Sequence, residues 1–348
     1  MENQENLKAN LDKKLILYPK TMEQAIIEAE LQIEAERTDE QLGLYCRWND
    51  VNSANLKYWR FNNVTMLAGS SGSGKSFILN MLEDDFTNKE LNKNFKHSIL
   101  ILAFKYEMDA ADEVTRTVAS KLKKSYSYLL SSEWQTESKN YNKIDEKELN
   151  DIKIEFEKIK HKPILYFETS GNLNQLEYTV DYYAKIYTNR KLIITIDHTL
   201  LSQKVEEYND LELMNNTALC AIRLRKKYKA MIILLNQLNA EIEKPIRREN
   251  PLLQYPVKSD IHCGNQVFWA CDNVIIAHRP ELLGIEKYGK QKYPSKDLLH
   301  FAVIKSRKGR VGNIWLKAKL SQSEILTMSS SQLNEEKNID LKNFKEIL

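Results

Sequence analysis

Cysteine is sparse in this sequence: Cys46, Cys220, Cys263 and Cys271 are the only 4 in 348 residues, and none stand in the close pairs of a zinc site. Such spacing argues against a zinc cluster or a disulfide framework and suits a reducing compartment. Long apolar runs are also missing, so nothing in the sequence reads as a membrane-spanning helix. The opening MENQENLKANLDKK lacks the apolar heart of a signal peptide, from which a cytoplasmic protein is expected. A strong excess of one charge is absent too, with 51 Lys and Arg against 48 Asp and Glu. A net charge of +3 cannot attract nucleic acid to the whole surface, so any such site must be local. What is present, 42% hydrophobic and 28% charged residues, is the make-up of a soluble globular protein with ample material for one principal domain.

Glycine is scarce as well, at 10 residues, yet three fall in the single stretch Gly69-Ser70-Ser71-Gly72-Ser73-Gly74-Lys75-Ser76. Average composition produces this pattern of Gly, four free positions, Gly, Lys and Ser/Thr in roughly 1% of chains of this length. Its flanks reduce accident further. Val64 to Ala68 reads as a buried strand entering the loop, and Phe77, Ile78, Leu79, Met81 and Leu82 as a helix leaving it. Backbone N–H groups and the positive end of a helix cradle phosphate oxygens. Lys75 would reach the terminal phosphates of ATP, and the Ser76 hydroxyl would hold Mg²⁺.

From residue 63 onward, strand and helix candidates alternate, which predicts an α/β fold with a mostly parallel sheet flanked by helices. The expected organisation is an N-terminal tail and helix over 1–45, an ATPase domain over 46–320 and a polar tail over 321–348. A lysine-rich peripheral insertion at 125–160 carries one amphipathic helix marked by Leu149, Ile152, Phe156 and Ile159. Thr21 with Gln24 fits a capping box, so a helix is predicted from Thr21 to Arg37. Its stripe of Met22, Ile26, Ala29 and Ile33 must bury on its own chain or on a neighbouring subunit. Tyr178, Tyr182, Tyr183 and Tyr187 recur at helical spacing and read as packing rather than as a base-stacking platform. Most of the prolines lie between Pro245 and Pro294, which marks that region as irregular.

Hydrolysis needs more than a phosphate cradle: a second metal anchor, a group that orients water, and positive charge for the transition state. Asp197 ends the apolar run KLIITID, where it could hold Mg²⁺ or cap the next helix. Glu107 follows the strand ending at Phe104 and could polarise water or serve as a helix-start carboxylate. Gln237, after MIILL, is a phosphate sensor or a polar loop residue. Lys305 and Arg307 in IKSRKGR form either a solvated basic hairpin or charge inserted into a neighbouring subunit's phosphate site.

In order and content these segments resemble the RecA-like motor domain of the DnaB-type replicative helicases, from about Gly43 to Lys319. Beyond the phosphate loop, FKYEMDAADEVTRTVAS is similar to the family's strand-end Glu-Met segment, and IITIDHTLL stands in the place of its Walker B strand. LLNQLN, KSDIHCGNQVFWACDNVIIAHRPE and IKSRKGRVG resemble the glutamine motif, the DNA-contacting loop with its following strand, and the closing Lys-x-Arg motif. The resemblance implies Glu107 as catalytic base, Asp197 as metal-linked carboxylate, Gln237 as sensor, and Lys305 with Arg307 as a pair acting on the adjacent subunit. It implies a homo-oligomer, a hexameric ring around single-stranded DNA, with the helix at Thr21 to Arg37 docking on the next subunit. DNA contact is expected from Lys258, His262, Cys263, Gly264 and Asn265.

Two positions depart from the family pattern. His198 stands in place of a Tyr after Asp197 and reads as a packed or hydrogen-bonded histidine. His262 replaces an Arg, which shifts the expected phosphate contacts to backbone N–H groups. The family's N-terminal helical domain has no counterpart, which leaves primase partnership open and points to a compact accessory or virus-encoded helicase. The reading is therefore an ATP- and Mg²⁺-dependent helicase or translocase of DNA replication. Its rivals are a RecA-like DNA-binding ATPase that switches without unwinding, and a monomeric small-molecule kinase.

Overall fold

The computed structural model describes residues 19–38, 40–197, 209–329 and 331–333. The chain divides into two compact units, Met1–Leu42 and Gly43–Leu348. In the first, the helix Met22–Arg37 is closed at its start by the expected box: Thr21 Oγ1 accepts from the Gln24 amide, and the Gln24 side chain accepts from the Thr21 amide. None of its residues is buried, and Met22 and Ile33 are 77% and 67% exposed. Its apolar positions therefore do not bury within the described residues of this single chain.

Strands are numbered along the second unit: β1 Gly43–Leu44, β2 Trp59–Arg60, β3 Asn63–Gly69, β4 Ser98–Lys105, β5 Trp134–Gln135, β6 Asn140–Tyr141, β7 Ile164–Phe167 and β8 Arg190–Asp197. They continue as β9 Met231–Gln237, β10 Asn273–His278, β11 Lys287–Tyr288, β12 Tyr293–Pro294, β13 Leu298–Ser306, β14 Gly312–Lys319 and β15 Glu324–Thr327. Nine of them form one sheet in the order β15-β14-β13-β10-β3-β9-β8-β4-β7. The six strands from β10 to β7 run parallel, and β13, β14 and β15 add on antiparallel.

Helices cover both faces, so the central strands are apolar on both sides. Alternate residues choose the face. In β8, Leu192, Ile194 and Ile196 meet Met214, Ala218 and Leu224 of the helix Asp210–Tyr228, whereas Ile193 points to Ile78, Leu79 and Leu82 of the helix Lys75–Phe86. Each such side chain contributes about 1.5–3 kcal/mol by leaving water. The core thus brings the helix after the phosphate loop firmly against the sheet.

Two stretches pack more closely than their composition suggests. The polar region after residue 320 contains β15, which pairs with β14; Ile325 is buried and its carbonyl accepts from the Trp48 indole at 3.0 Å. In 125–160 the helix Glu146–Ile159 places Ile152 on Val118, Ala119 and Leu129 in a small separate core. Leu149 stays 38% exposed, so the apolar stripe is narrower than expected. On the helix Leu173–Ile186, Tyr183 packs inward, but Tyr178 and Tyr182 are exposed, because only one side of that helix faces the sheet. No described helix is long and apolar enough to cross a membrane.

Candidate functional site

The parallel strands deliver their chemistry at one edge, as crossover connections require. β3 leads into the loop at Ser70–Gly74 and the helix Lys75–Phe86. Gly72 and Gly74 have φ of 75° and 89°, the left-handed region that glycine enters without strain. Gly69 is needed for a different reason, space: a Cβ there would lie 2.4 Å from Ser73 Oγ and 2.6 Å from the Ala277 carbonyl oxygen.

Lys75 folds over the loop and donates to the carbonyls of Gly69 and Ser70 at 2.8 and 2.9 Å and to Gln237 Oε1 at 2.8 Å. Gln237 reaches it because β9 pairs with β3 in a register that sets Gln237 opposite Gly69. Burial pushes the Lys75 ammonium down to about 8, against the pull of Asp197 and Glu107. Ser76 Oγ lies 3.2 Å from Asp197 Oδ1, which joins the loop to the end of β8. Asp197 Oδ2 is buried with no hydrogen-bond partner, and burial raises the carboxyl's pKa although Lys105 opposes it.

Glu107 emerges exposed just beyond β4 and lines a cavity of about 340 Å³ with Gly72, Lys75, Ser76 and Gln237. It is not a helix-start carboxylate: the helix Ala110–Leu122 has Asp109 at its N-cap, and Glu168 accepts from the Ala110 amide at 2.6 Å. One hydroxyl and one carboxylate with an unsatisfied buried oxygen fit a hard cation that keeps most of its water. Among the described residues no cluster of three or more His, Cys, Asp or Glu offers an all-protein cage. The Ser70 and Ser73 hydroxyls are also buried and unpartnered, donors suited to phosphate oxygens.

Lys305 and Arg307 do not join this cavity. Antiparallel β13 pairs Lys305 with Val274, while parallel β3 pairs Gly69 with Ala277. Arg307, whose amide donates to the Asp272 carbonyl, therefore lies on the order of 15 Å towards the opposite edge of the sheet, at about 3.3 Å per residue. Its guanidinium binds Asp272 Oδ1 at 3.2 Å and the Trp269 carbonyl at 2.9 Å. The Lys305 ammonium donates to the Phe268 and Trp269 carbonyls, the latter at 3.2 Å, and lies 4.9 Å from the centre of the Phe268 ring.

The expected DNA loop lies beside Gln237. The His262 amide donates to the Gln237 carbonyl at 3.0 Å, and the Asn236 side chain donates to the His262 carbonyl at 3.3 Å. The His262 amide is thus engaged and offers no donor to phosphate. Cys263, left-handed at φ 48°, caps the helix Gly264–Ala270, which places Asn265 in that helix's first turn. Lys258 lies 4.9 Å from the ring centres of both Phe268 and Trp269. His198 falls outside the described residues.

Two groups of residues escaped the sequence reading. Lys105 is fully buried between Glu83 and Glu113, 3.2 Å from each, and Thr195 donates to Glu83 at 2.6 Å. Burial opposes the Lys105 charge, but Glu83 and Glu113 outweigh it and raise the pKa. The signal was a lone Lys at the end of the apolar strand SILILAFK, with Glu on the inward faces of two flanking helices. The second group, Arg116, Tyr126, Leu320 and Ser323, closes the far wall of the cavity. It is drawn from sites some 200 residues apart and has no linear signature.

The family model described as "DnaB-like helicase C terminal domain" matches residues 43–325. No curated protein sequence matches. Among solved structures, an isolated ATPase domain is similar with TM-score 0.73 and 13% identity, over 90% of this chain and 100% of that one. "The Structure Of A DnaB-Like Replicative Helicase And Its Interactions With Primase" is similar with TM-score 0.70 and 13% identity, over 94% of this chain and 71% of that one.

Proposed function

Because the chain belongs to the DnaB-like helicase C-terminal domain family, and is thereby an ATP-hydrolysing DNA helicase, we propose that it works as a ring that moves on single-stranded DNA with ATP bound between subunits. The observation that carries this reading is the distance between Arg307 and the phosphate loop of the same chain. Set at the opposite edge of the sheet, Lys305 and Arg307 cannot reach their own chain's phosphates; a neighbour packed edge to edge would receive them.

The parts then have these roles. The amides of 69–76 and Lys75 hold the phosphates, and Ser76 with Asp197 holds Mg²⁺. That ion, when bound, supplies neutralisation of charge building on the phosphate oxygens. Glu107 accepts the proton of the attacking water, and its exposure at the cavity mouth leaves it able to meet that water. Gln237 senses the terminal phosphate: when a phosphate draws Lys75 away, Gln237 Oε1 loses its donor. Its carbonyl is bonded to His262, so the change passes along the backbone to the loop with Lys258, Cys263, Gly264 and Asn265, which grips DNA phosphates. The exposed helix Met22–Arg37 supports docking on an adjacent copy, and the inferred assembly is a hexamer. The motor spans 46–320 with 125–160 as an insertion.

Mixing two inactive variants tests the shared site. Lys75→Ala with Arg307→Ala should regain ATPase activity, because some interfaces then pair an intact phosphate loop with an intact Arg307. Recovery in no mixture would remove the shared-site reading.

A further inference from the structure

The turn after β13 is seated against the end of a helix far away in sequence. Ala54 closes the helix Asn49–Ala54, and its carbonyl has no partner within the helix, as the last carbonyls of any helix have none. It accepts from the Arg310 amide at 3.1 Å. The Ser306 hydroxyl lies 3.1 Å from the same carbonyl and 3.0 Å from Asn273 Oδ1, with one proton to serve either, and accepts from the Gly309 amide at 3.0 Å. Between these contacts stands Gly309, where a Cβ would lie 1.9 Å from the Ala54 oxygen and 2.8 Å from its carbon. Those atoms are backbone, so no side-chain rotation can make room. From the other side, Asp272 grips Arg307 through both its carbonyl and its carboxylate, whose second oxygen accepts from the Val64 amide at 2.8 Å and from Arg225 at 2.6 Å.

We propose that the Ala54 carbonyl, with Gly309 and Ser306 closed against it, is a seat that sets how far Lys305 and Arg307 extend towards the neighbouring subunit's phosphates. Gly309 and Ser306 are positioning residues in this role, which rests on the reading that the pair acts across the interface. Hydrogen bonds along β13 fix only the backbone up to Ser306; Arg307 lies beyond the strand and takes its place from the seat on one side and Asp272 on the other. An added methyl at 309 must lift the turn by on the order of 1 Å, and misplacement of that size at a reacting centre costs up to about a hundredfold in rate.

The test uses the full chain with Gly309→Ala, Ser306→Ala and Arg307→Ala, and Lys308→Ala as a control on the same turn. ATPase kcat and KM, binding of a fluorescent ATP analogue, and mixing with Lys75→Ala are measured for each. Gly309→Ala should lose about tenfold or more in kcat, keep KM and analogue binding within about twofold, and recover on mixing, as Arg307→Ala does. Ser306→Ala should fall less, and Lys308→Ala should match the parent. Wild-type kcat in Gly309→Ala, beside a depressed Arg307→Ala, would overturn the seat alone. Wild-type kcat in Arg307→Ala would instead overturn the role of the pair. Should Gly309→Ala fail to fold, Ser306→Ala decides: lowered kcat with unchanged KM supports the seat, and wild-type kcat rejects it.

Discussion

Lys75 meets three oxygens at hydrogen-bond distance before any nucleotide arrives, two from its own loop and one from Gln237. An ammonium has three donors, so this set saturates it and holds the loop in shape. Phosphate must displace these contacts, and the gain is a charge-assisted pair in place of neutral acceptors. Lys75→Ala should therefore weaken ATP binding by about a hundredfold or more in a fluorescent-analogue titration while leaving the thermal unfolding midpoint nearly unchanged. Glu107 carries no such structural contact at the helix start. Glu107→Gln should keep analogue affinity within about twofold and lower kcat by about 10²–10⁴, the span of general-base catalysis, in steady-state ATPase assays. The loop, Glu107, Asp197 and Gln237 were legible in the sequence because strand-end chemistry follows apolar runs at short range. Lys105 was not, since a buried lysine is explained only by carboxylates that the fold brings from two other helices.

Among the elements, the helix Ala110–Leu122 links the site to the insertion. Its inner face sends Glu113 to Lys105, and its far side gives Val118 and Ala119 to the small core with Leu129 and Ile152. That core is a separate cluster from those on the two faces of the sheet, so its loss should be local. Ile152→Ala should cost about 2–4 kcal/mol in the unfolding of the insertion, read by hydrogen exchange in 125–160, with analogue affinity within about twofold. Helices were legible where sequence and local physics agree, as in the boxes of Thr21 with Gln24 and Asp145 with Glu148. The strand at Glu324–Thr327 was not, because four residues carry no period of their own and are held by β14 and by the Trp48 indole.

For the molecule as a whole, acid stability should reflect two buried histidines. Burial holds His278 down to about 3 and His300 to about 4. His300 accepts from the Tyr288 hydroxyl at Nδ1 and donates to Asn313 Oδ1 at Nε2, both at 2.8 Å, which uses the neutral ring fully. The folded pKa values lie below the unfolded value near 6.5, so at pH 5 the unfolded chain binds more protons. Their contribution is fully present above about pH 6.5 and is lost as pH falls towards 4 and then 3. Near pH 5 the slope is up to about 2.7 kcal/mol per pH unit for two protons. The unfolding midpoint of His300→Gln should vary less steeply with pH between 6.5 and 4 than the parent's; an equal slope would contradict this assignment.

Taken alone, the sequence determined the phosphate loop, the alternation that makes a mostly parallel sheet, and the strand ends from which the candidate groups emerge, because each is a matter of a few consecutive residues and their period. Only the tertiary structure decided which edge each group occupies. The antiparallel return of β13 carries Lys305 and Arg307 away from their own phosphate loop, and the register of β9 on β3 brings Gln237 onto Lys75. Strand order and direction depend on which distant apolar faces pair, and that is settled when the core closes.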